Sequence, residues 1–257
     1  MRWFRKKKTT NLFAIGDIHG NVRALNDLLE KILPQMSSGD TLVFLGDYID
    51  RGPNVRECID RIIDLKKRSP FSVVTLRGNH EDWMMESYRD PTRHFWFLGM
   101  EALDTIASYS EQAAEVLTRE AERSGTNLVD GKSPLPYNVF FDSVPSEHLH
   151  FFLSLRHYHH ANRVLCVHGG LDTNVKRLAA QHPQAFMWGS EDFPDEYSGK
   201  DYVVYGHHRN AILDAQGWPH PNLKANRTCG IDTISQGVLT AIRFPGREVF
   251  QSRRFEE

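Results

Sequence analysis

Several residues able to bind metal or transfer protons follow short apolar runs in this sequence. Asp17 and His19 follow Leu12–Ile15, Asp47 and Asp50 follow Thr41–Leu45, and Asn79 and His80 follow Phe71–Leu76. His168 comes after Val164–Val167, and His207 after Tyr202–Tyr205. Aspartate, histidine and asparagine together are the donors expected of a divalent transition metal held by mixed nitrogen and oxygen ligands. Carboxylates able to bridge are among them, and two ions about 3.5–4 Å apart clamp both the attacking and the leaving oxygen of a phosphoryl displacement. Taken singly, an Asp after a strand is a turn or helix cap, and a strand-end His is a hydrogen-bonded core residue. Separate segments that all end in ligand chemistry reverse that reading. Glycines beside them, such as Gly46, Gly78 and Gly206, allow tight turns and close backbone approach.

The elements that must position these residues alternate in the first half. After Leu12–Ile15, the residues Val22, Leu25, Leu28, Leu29 and Ile32 fall at helical spacing with Asn21 as N-cap. After Thr41–Leu45, a second helix buries Val55, Cys58, Ile59, Ile62 and Leu65, and Phe71–Leu76 is a third strand. A β-α-β-α-β run implies parallel pairing, with ligands gathered at the carboxyl ends of the strands. Residues from about 81 to 155 read as a helical insert without a strand signal. From Arg163 onward short strands separated by turns (Val164–Val167, Tyr202–Tyr205, Thr228–Ile231, Val238–Phe244, Glu248–Gln251) predict a largely antiparallel second sheet. No repeat or linker divides the chain, so residues 11–257 are expected to form a single domain.

The bulk composition is that of an ordinary globular protein. Of 257 residues, 40% are hydrophobic and 25% charged, and 31 basic against 33 acidic side chains leave a net charge of −2. That balance excludes a general nucleic-acid or membrane binder, and no apolar run approaches the ~20 residues of a membrane span. Residues 1–10 carry Arg2, Arg5, Lys6, Lys7 and Lys8 without the apolar stretch of a secretory signal, and are expected to be a disordered, solvated arm. Cys58, Cys166 and Cys229 are odd in number and widely spaced, which suits small core residues in a reducing cytoplasm.

Three blocks, Gly16-Asp17-Ile18-His19-Gly20, Gly46-Asp47-Tyr48-Ile49-Asp50-Arg51-Gly52 and Leu76-Arg77-Gly78-Asn79-His80-Glu81, resemble the signature of the phosphoprotein phosphatase family. His168-Gly169-Gly170-Leu171 and Tyr205-Gly206-His207 resemble its two later histidine blocks. The insert is similar to that of bacterial serine/threonine phosphatases. The resemblance implies an α/β calcineurin-like metallophosphoesterase fold, a four-layer α/β/β/α sandwich of two mixed sheets. It also implies two divalent ions, manganese first, with iron or zinc accommodated by the same donors. Asp17 and His19 are assigned to one ion, Asp47 to both, and Asn79, His168 and His207 to the other, with a hydroxide shared between them as nucleophile. His80 is the implied general acid, Asp50 its orienting carboxylate, and Arg51, Arg77 and Asn79 the groups that hold the substrate, with a salt bridge beneath the site as the alternative for Arg77.

The implied substrate is phosphoserine or phosphothreonine in a protein, with phosphotyrosine also open. A symmetrical dinucleoside-tetraphosphate hydrolase shares the same blocks; Glu81 after Gly-Asn-His favours the protein phosphatases, because that branch usually has Asp. A non-catalytic scaffold should have lost a ligand or the acid, and none is lost. Some positions depart from the pattern. Gly189-Ser190-Glu191 follows Trp188 where the family has a phosphate-clamping Arg, and His208-Arg209 follows the last His where a Thr is usual. Arg209 either replaces the guanidinium or makes a surface salt bridge. Alternation puts His157 and His159 on one strand face and His160 on the other, which argues against a third metal site. Phe95, Trp96, Phe97 and Tyr88 could line a substrate groove, but are expected mainly as core of the insert. A monomer is the default, with no stable nucleic-acid partner.

Overall fold

The computed structural model describes residues 10–131, 133–208 and 211–255. The basic arm therefore lies almost wholly outside the described residues, as does Arg209.

The alternating first half folds as β1 (Leu12–Ile15), α1 (Val22–Ile32), β2 (Thr41–Phe44), α2 (Val55–Arg68) and β3 (Ser72–Thr75). Asn21 caps α1 by accepting from the Ala24 N–H at 2.9 Å. Among the described residues seven helices follow: α3 (Asn79–Arg89), α4 (Phe95–Gly99), α5 (Ala102–Tyr109), α6 (Glu111–Ser124), α7 (Thr126–Val129), α8 (Asn138–Phe141) and α9 (Ser146–Leu153). Then come β4 (Tyr158–Ala161), β5 (Val164–Val167), α10 (Pro183–Trp188) and β6 (Tyr202–Tyr205). The chain continues through the short β7 (Ile212–Leu213), β8 (Pro219–His220) and β9 (Asn222–Leu223), then β10 (Thr228–Gly230), β11 (Thr240–Phe244) and β12 (Glu248–Gln251).

Two five-stranded sheets result, in the orders β12-β11-β1-β2-β3 and β4-β5-β6-β10-β9. Both are mixed, and this corrects the largely antiparallel second sheet expected from turn signals. Its centre, β5-β6-β10, is parallel, with antiparallel β4 and β9 at the edges. The strands β11 and β12 leave it altogether and extend the first sheet beside β1.

Strand alternation builds the layers. In β1 and β2, Phe13, Ile15, Leu42 and Phe44 join the large core under the helices, while Leu12, Ala14 and Val43 face the other way. These meet Val164, Cys166 and Val204 from the second sheet, so the two sheets share one buried layer. On the outer side of the second sheet, Leu165, Val167, Val203 and Tyr205 pack with Phe186 of α10 and with Phe193. All three cysteines are buried and free. Among the described residues no helix is long and apolar enough to cross a membrane.

Candidate metal centre

The loops after β1, β2, β3, β5 and β6 converge at the carboxyl ends of both sheets. They carry Asp17 and His19, Asp47 with Asp50 and Arg51, Asn79 and His80, His168, and His207. Backbone strain collects here: His19, Asp47, Asp50, Arg51 and His207 all have φ between 44° and 69°, a region that non-glycine residues occupy only when their surroundings enforce it. Glycine is required for space at Gly78, where a Cβ would strike the Asp47 carboxylate, and at Gly206, where it would strike that of Asp17.

Asp47 lies at the middle. Ligand atoms of His19, Asp47 and His80 lie within 4.8 Å of one another, as do those of Asp47, His168 and His207, so two potential ligand groups share one carboxylate. Asp47 Oδ2 is 3.3 Å from His168 Nε2 and 3.7 Å from His19 Nε2. In the first group His80 stands where Asp17 was expected, while Asp17 Oδ2 accepts from the His207 N–H at 2.9 Å.

The protonation pattern matches cation binding. His19 donates from Nδ1 to Ile49 O (2.8 Å), and His168 from Nδ1 to Leu45 O (3.1 Å), which leaves both Nε2 atoms toward Asp47. His168 Nε2 also meets Asn79 Oδ1 at 2.9 Å. Acceptors that converge in this way are reconciled by a cation. Asp17 Oδ1 is buried with no hydrogen-bond partner among the described residues. Burial, Asp232 and Asp47 together push the Asp17 carboxyl well above its ordinary range. Burial opposes ionisation of Asp47 too, but His168, His80 and His19 outweigh it and hold that carboxyl well below its usual value. His19 is driven well down by burial and His80, and His207 falls to about 3 through burial and His168, so both are neutral at pH 7 and free to act as donors to a cation. The donor set fits divalent metal.

His80 and Asp50 form a buried pair beside it. His80 donates from Nδ1 to Asp50 Oδ2 at 2.7 Å. Burial works against protonation, yet Asp47 and Asp50 raise the His80 imidazole to about 9. Asp50 is gripped from the helical insert, a role that sequence reading missed. Trp96 Nε1 donates to both carboxylate oxygens (3.0 and 3.1 Å), and Thr105 Oγ1 donates to Oδ1 (2.6 Å) while accepting from the Asp50 N–H (2.8 Å). The available signal was that a buried indole N–H needs an acceptor.

Glu81 has a second missed role. Its Oε2 accepts from the N–H groups of Asp47 (3.0 Å) and Gly78 (2.9 Å), and its Oε1 from those of Tyr48 (2.8 Å) and Ile49 (3.3 Å). One buried carboxylate thus fixes the loop bearing Asp47. Burial and the Asp47 charge push Glu81 up to about 7, against the pull of His80, His168 and the Tyr48 amide.

The arginines divide. Arg51 donates to His19 Nε2 (2.9 Å) and faces His80 Nε2 (3.4 Å), inside the centre. Arg77 is instead paired with Asp82 (3.1 Å) and Phe152 O (3.4 Å), between α3 and α9, with Nε buried and unpartnered among the described residues. Ser190 uses its backbone N–H on Leu171 O (3.0 Å). Phe95 and Tyr88, expected mainly as insert core, are exposed at 61% and 43%, whereas Trp96 is fully buried. Neither His157 nor His159 joins a ligand group among the described residues.

The model of the calcineurin-like phosphoesterase family matches residues 10–234. The chain belongs to that family. It is 28% identical to the serine/threonine-protein phosphatase SIT4 of Candida albicans over 169 residues, 63% of this chain and 40% of that protein. The chain thus spans less than half the length of that relative. It is 27% identical over 262 residues to the asymmetrical bis(5'-nucleosyl)-tetraphosphatase PrpE of Anoxybacillus flavithermus, covering 91% of this chain and 90% of that one. A solved structure described as a candidate diadenosine tetraphosphatase superposes with a TM-score of 0.61, covering 98% of this chain and 96% of the other. At 17% identity, that likeness is one of fold.

Proposed function

We propose that this calcineurin-like phosphoesterase is a metal-dependent phosphomonoesterase that acts on phosphoserine and phosphothreonine in proteins. The observation that carries this reading is the buried His80–Asp50 pair. An alkoxide is a strongly basic leaving group and needs a proton as it departs, whereas a nucleotide phosphate needs little. A protonated imidazole held at 2.7 Å from a carboxylate, itself fixed by two more donors, suits the first task.

In this reading Asp17 and His19 would hold one divalent ion and Asn79, His168 and His207 the other, with Asp47 available to both sets, and manganese is the ion we put first. Bound there, the ions supply Lewis acidity toward water and the phosphoryl oxygens. Arg51 orients the phosphate from the open side, where its guanidinium already faces His19 and His80. Glu81 keeps Asp47 in place through the loop amides, and His80 protonates the departing oxygen.

A second reading, hydrolysis of dinucleoside tetraphosphates, is favoured by the almost complete overlap with the Anoxybacillus relative. That relative is named for asymmetrical cleavage, where the sequence blocks suggested the symmetrical kind. A manganese-reconstituted enzyme offered a phosphoserine peptide, an aryl phosphate and a dinucleoside tetraphosphate distinguishes the two. We expect the highest kcat/KM on the peptide; a preference for the dinucleotide of about tenfold or more overturns the assignment.

A further inference from the structure

The guanidinium of Arg51 has a third neighbour that the chemistry above leaves unused. Its Nη atoms face His19 and His80, while its Nε lies 3.9 Å from Glu101 Oε1. The Glu101 side chain is 70% exposed, so the pair opens to solvent at the edge of the centre. Glu101 stands immediately before α5, four positions ahead of Thr105. One turn of that helix therefore follows the loop after β2, with Thr105 bonded to Asp50 and Glu101 paired with Arg51. The backbone of Glu101 is left-handed, with φ 57° and ψ 42°, a conformation that glycine occupies freely and glutamate only under constraint. A residue at the start of a helix ordinarily turns its side chain to the free N–H groups of the first turn, yet Glu101 makes no such bond. Its carboxylate is left to Arg51 and to solvent. Asp104, in the first turn of α5, adds a second carboxylate, and burial together with the Glu101 charge pushes it above the ordinary range. Two carboxylates thus stand at the start of α5 against the one guanidinium that Glu101 reaches.

We propose that Glu101 is a specificity-determining residue that selects phosphoserine peptides carrying a lysine or arginine within two positions of the phosphorylated residue. The proposal rests on the reading of the centre as a protein phosphatase and narrows its substrate class. Distance supports it. Two positions of extended chain span about 7 Å, and the carboxylate lies one ion-pair length beyond the guanidinium that orients the phosphate. A cationic side chain beside the phosphoserine meets a negative charge there, and an acidic one is repelled. A tetraphosphate brings several negative charges to the same edge, so the residue that attracts a basic peptide also works against a dinucleotide.

The test uses the manganese-reconstituted full chain and three phosphoserine peptides. They differ only in carrying lysines, alanines or glutamates at the two positions on either side of the phosphoserine. Glu101→Gln keeps the shape and removes the charge, and Glu101→Gly removes the charge with the residue most at ease at φ 57°. In each variant the ratio of kcat/KM on the lysine peptide to that on the glutamate peptide should fall by about 2–30-fold, mainly through KM, since one charge attracts the first and repels the second. Salt at about 0.5 M should lower the ratio of the parent in the same direction. Turnover of a dinucleoside tetraphosphate should rise in both variants. A parent that prefers the glutamate peptide, or a ratio that neither substitution moves, overturns the proposal. Equal losses on all three peptides, the result of a purely structural role for Glu101, overturn it as well. A parent that hydrolyses none of the peptides overturns the functional reading instead, so the two failures are distinct.

Discussion

Replacing Trp96 with Phe isolates the grip of the insert on the acid. The substitution keeps a ring among Tyr137, Phe140 and Phe141 but removes the N–H that spans both oxygens of Asp50. A hydrogen bond to an ionised group contributes about 1.5–3 kcal/mol, and 1.36 kcal/mol corresponds to one pH unit. Burial already pushes the Asp50 carboxyl up, opposed by hydrogen bonds from His80, Thr105 and Trp96, so losing one donor pushes it further up. A less ionised Asp50 supports His80 less. The effect reaches the imidazole through a single hydrogen bond, so the His80 value falls, by less than the full energy of the lost bond. The general acid must be protonated, so activity is lost as pH rises through the His80 value, and a lower value moves that alkaline limb down. The assay is kcat against pH on a phosphoserine peptide and on an aryl phosphate with a good leaving group, with the first losing more than the second. An unmoved alkaline limb, or equal losses on both substrates, would refute the reasoning even if the variant were less stable.

Two further outcomes follow from the same contacts. His80→Asn should retain the metals while kcat on an alkyl phosphate falls by about 10²–10⁴-fold, the usual contribution of a general acid; metal content and steady-state kinetics check both halves. Glu81→Gln turns one acceptor oxygen into an amide donor and strands two of the four loop N–H groups. At about 1–3 kcal/mol for each buried unsatisfied group, urea unfolding should show a loss of about 2–6 kcal/mol, and a loss below about 1 kcal/mol would contradict the role given to Glu81.

The site was more legible in the sequence than the sheets that position it. The candidate ligand residues come straight after apolar strands, so local pattern and strand-end chemistry single them out together. Asn21 at the start of α1 was readable for the same local reason. The second sheet was not. Turn signals at Gly217 and Gly237 suggested hairpins, but Val167 and Tyr202 are far enough apart for the crossover that parallel β5 and β6 need. Nothing local in Thr240–Phe244 says that it pairs with Leu12–Ile15 at the other end of the chain. The edge strand β4 reads Tyr-His-His-Ala, with no buried face to give an alternation. Trp96 and Thr105 reach Asp50 across 46 and 55 residues, beyond any periodicity argument. Glu81 carried a readable sign, being the third residue of a helix whose capping N–H it accepts, but its hold on Asp47 spans 34 residues.

The central claim is that one carboxylate, Asp47, joins two ions in a hydrolytic centre. Metal content and phosphatase activity of the parent and of Asp47→Asn, both reconstituted with manganese, test it most directly. The account predicts about two ions per chain and turnover in the parent, against less than about one ion and no turnover in the variant, because a neutral amide bridges two cations poorly. A variant that keeps both ions and hydrolyses phosphate esters at the parent rate would contradict it.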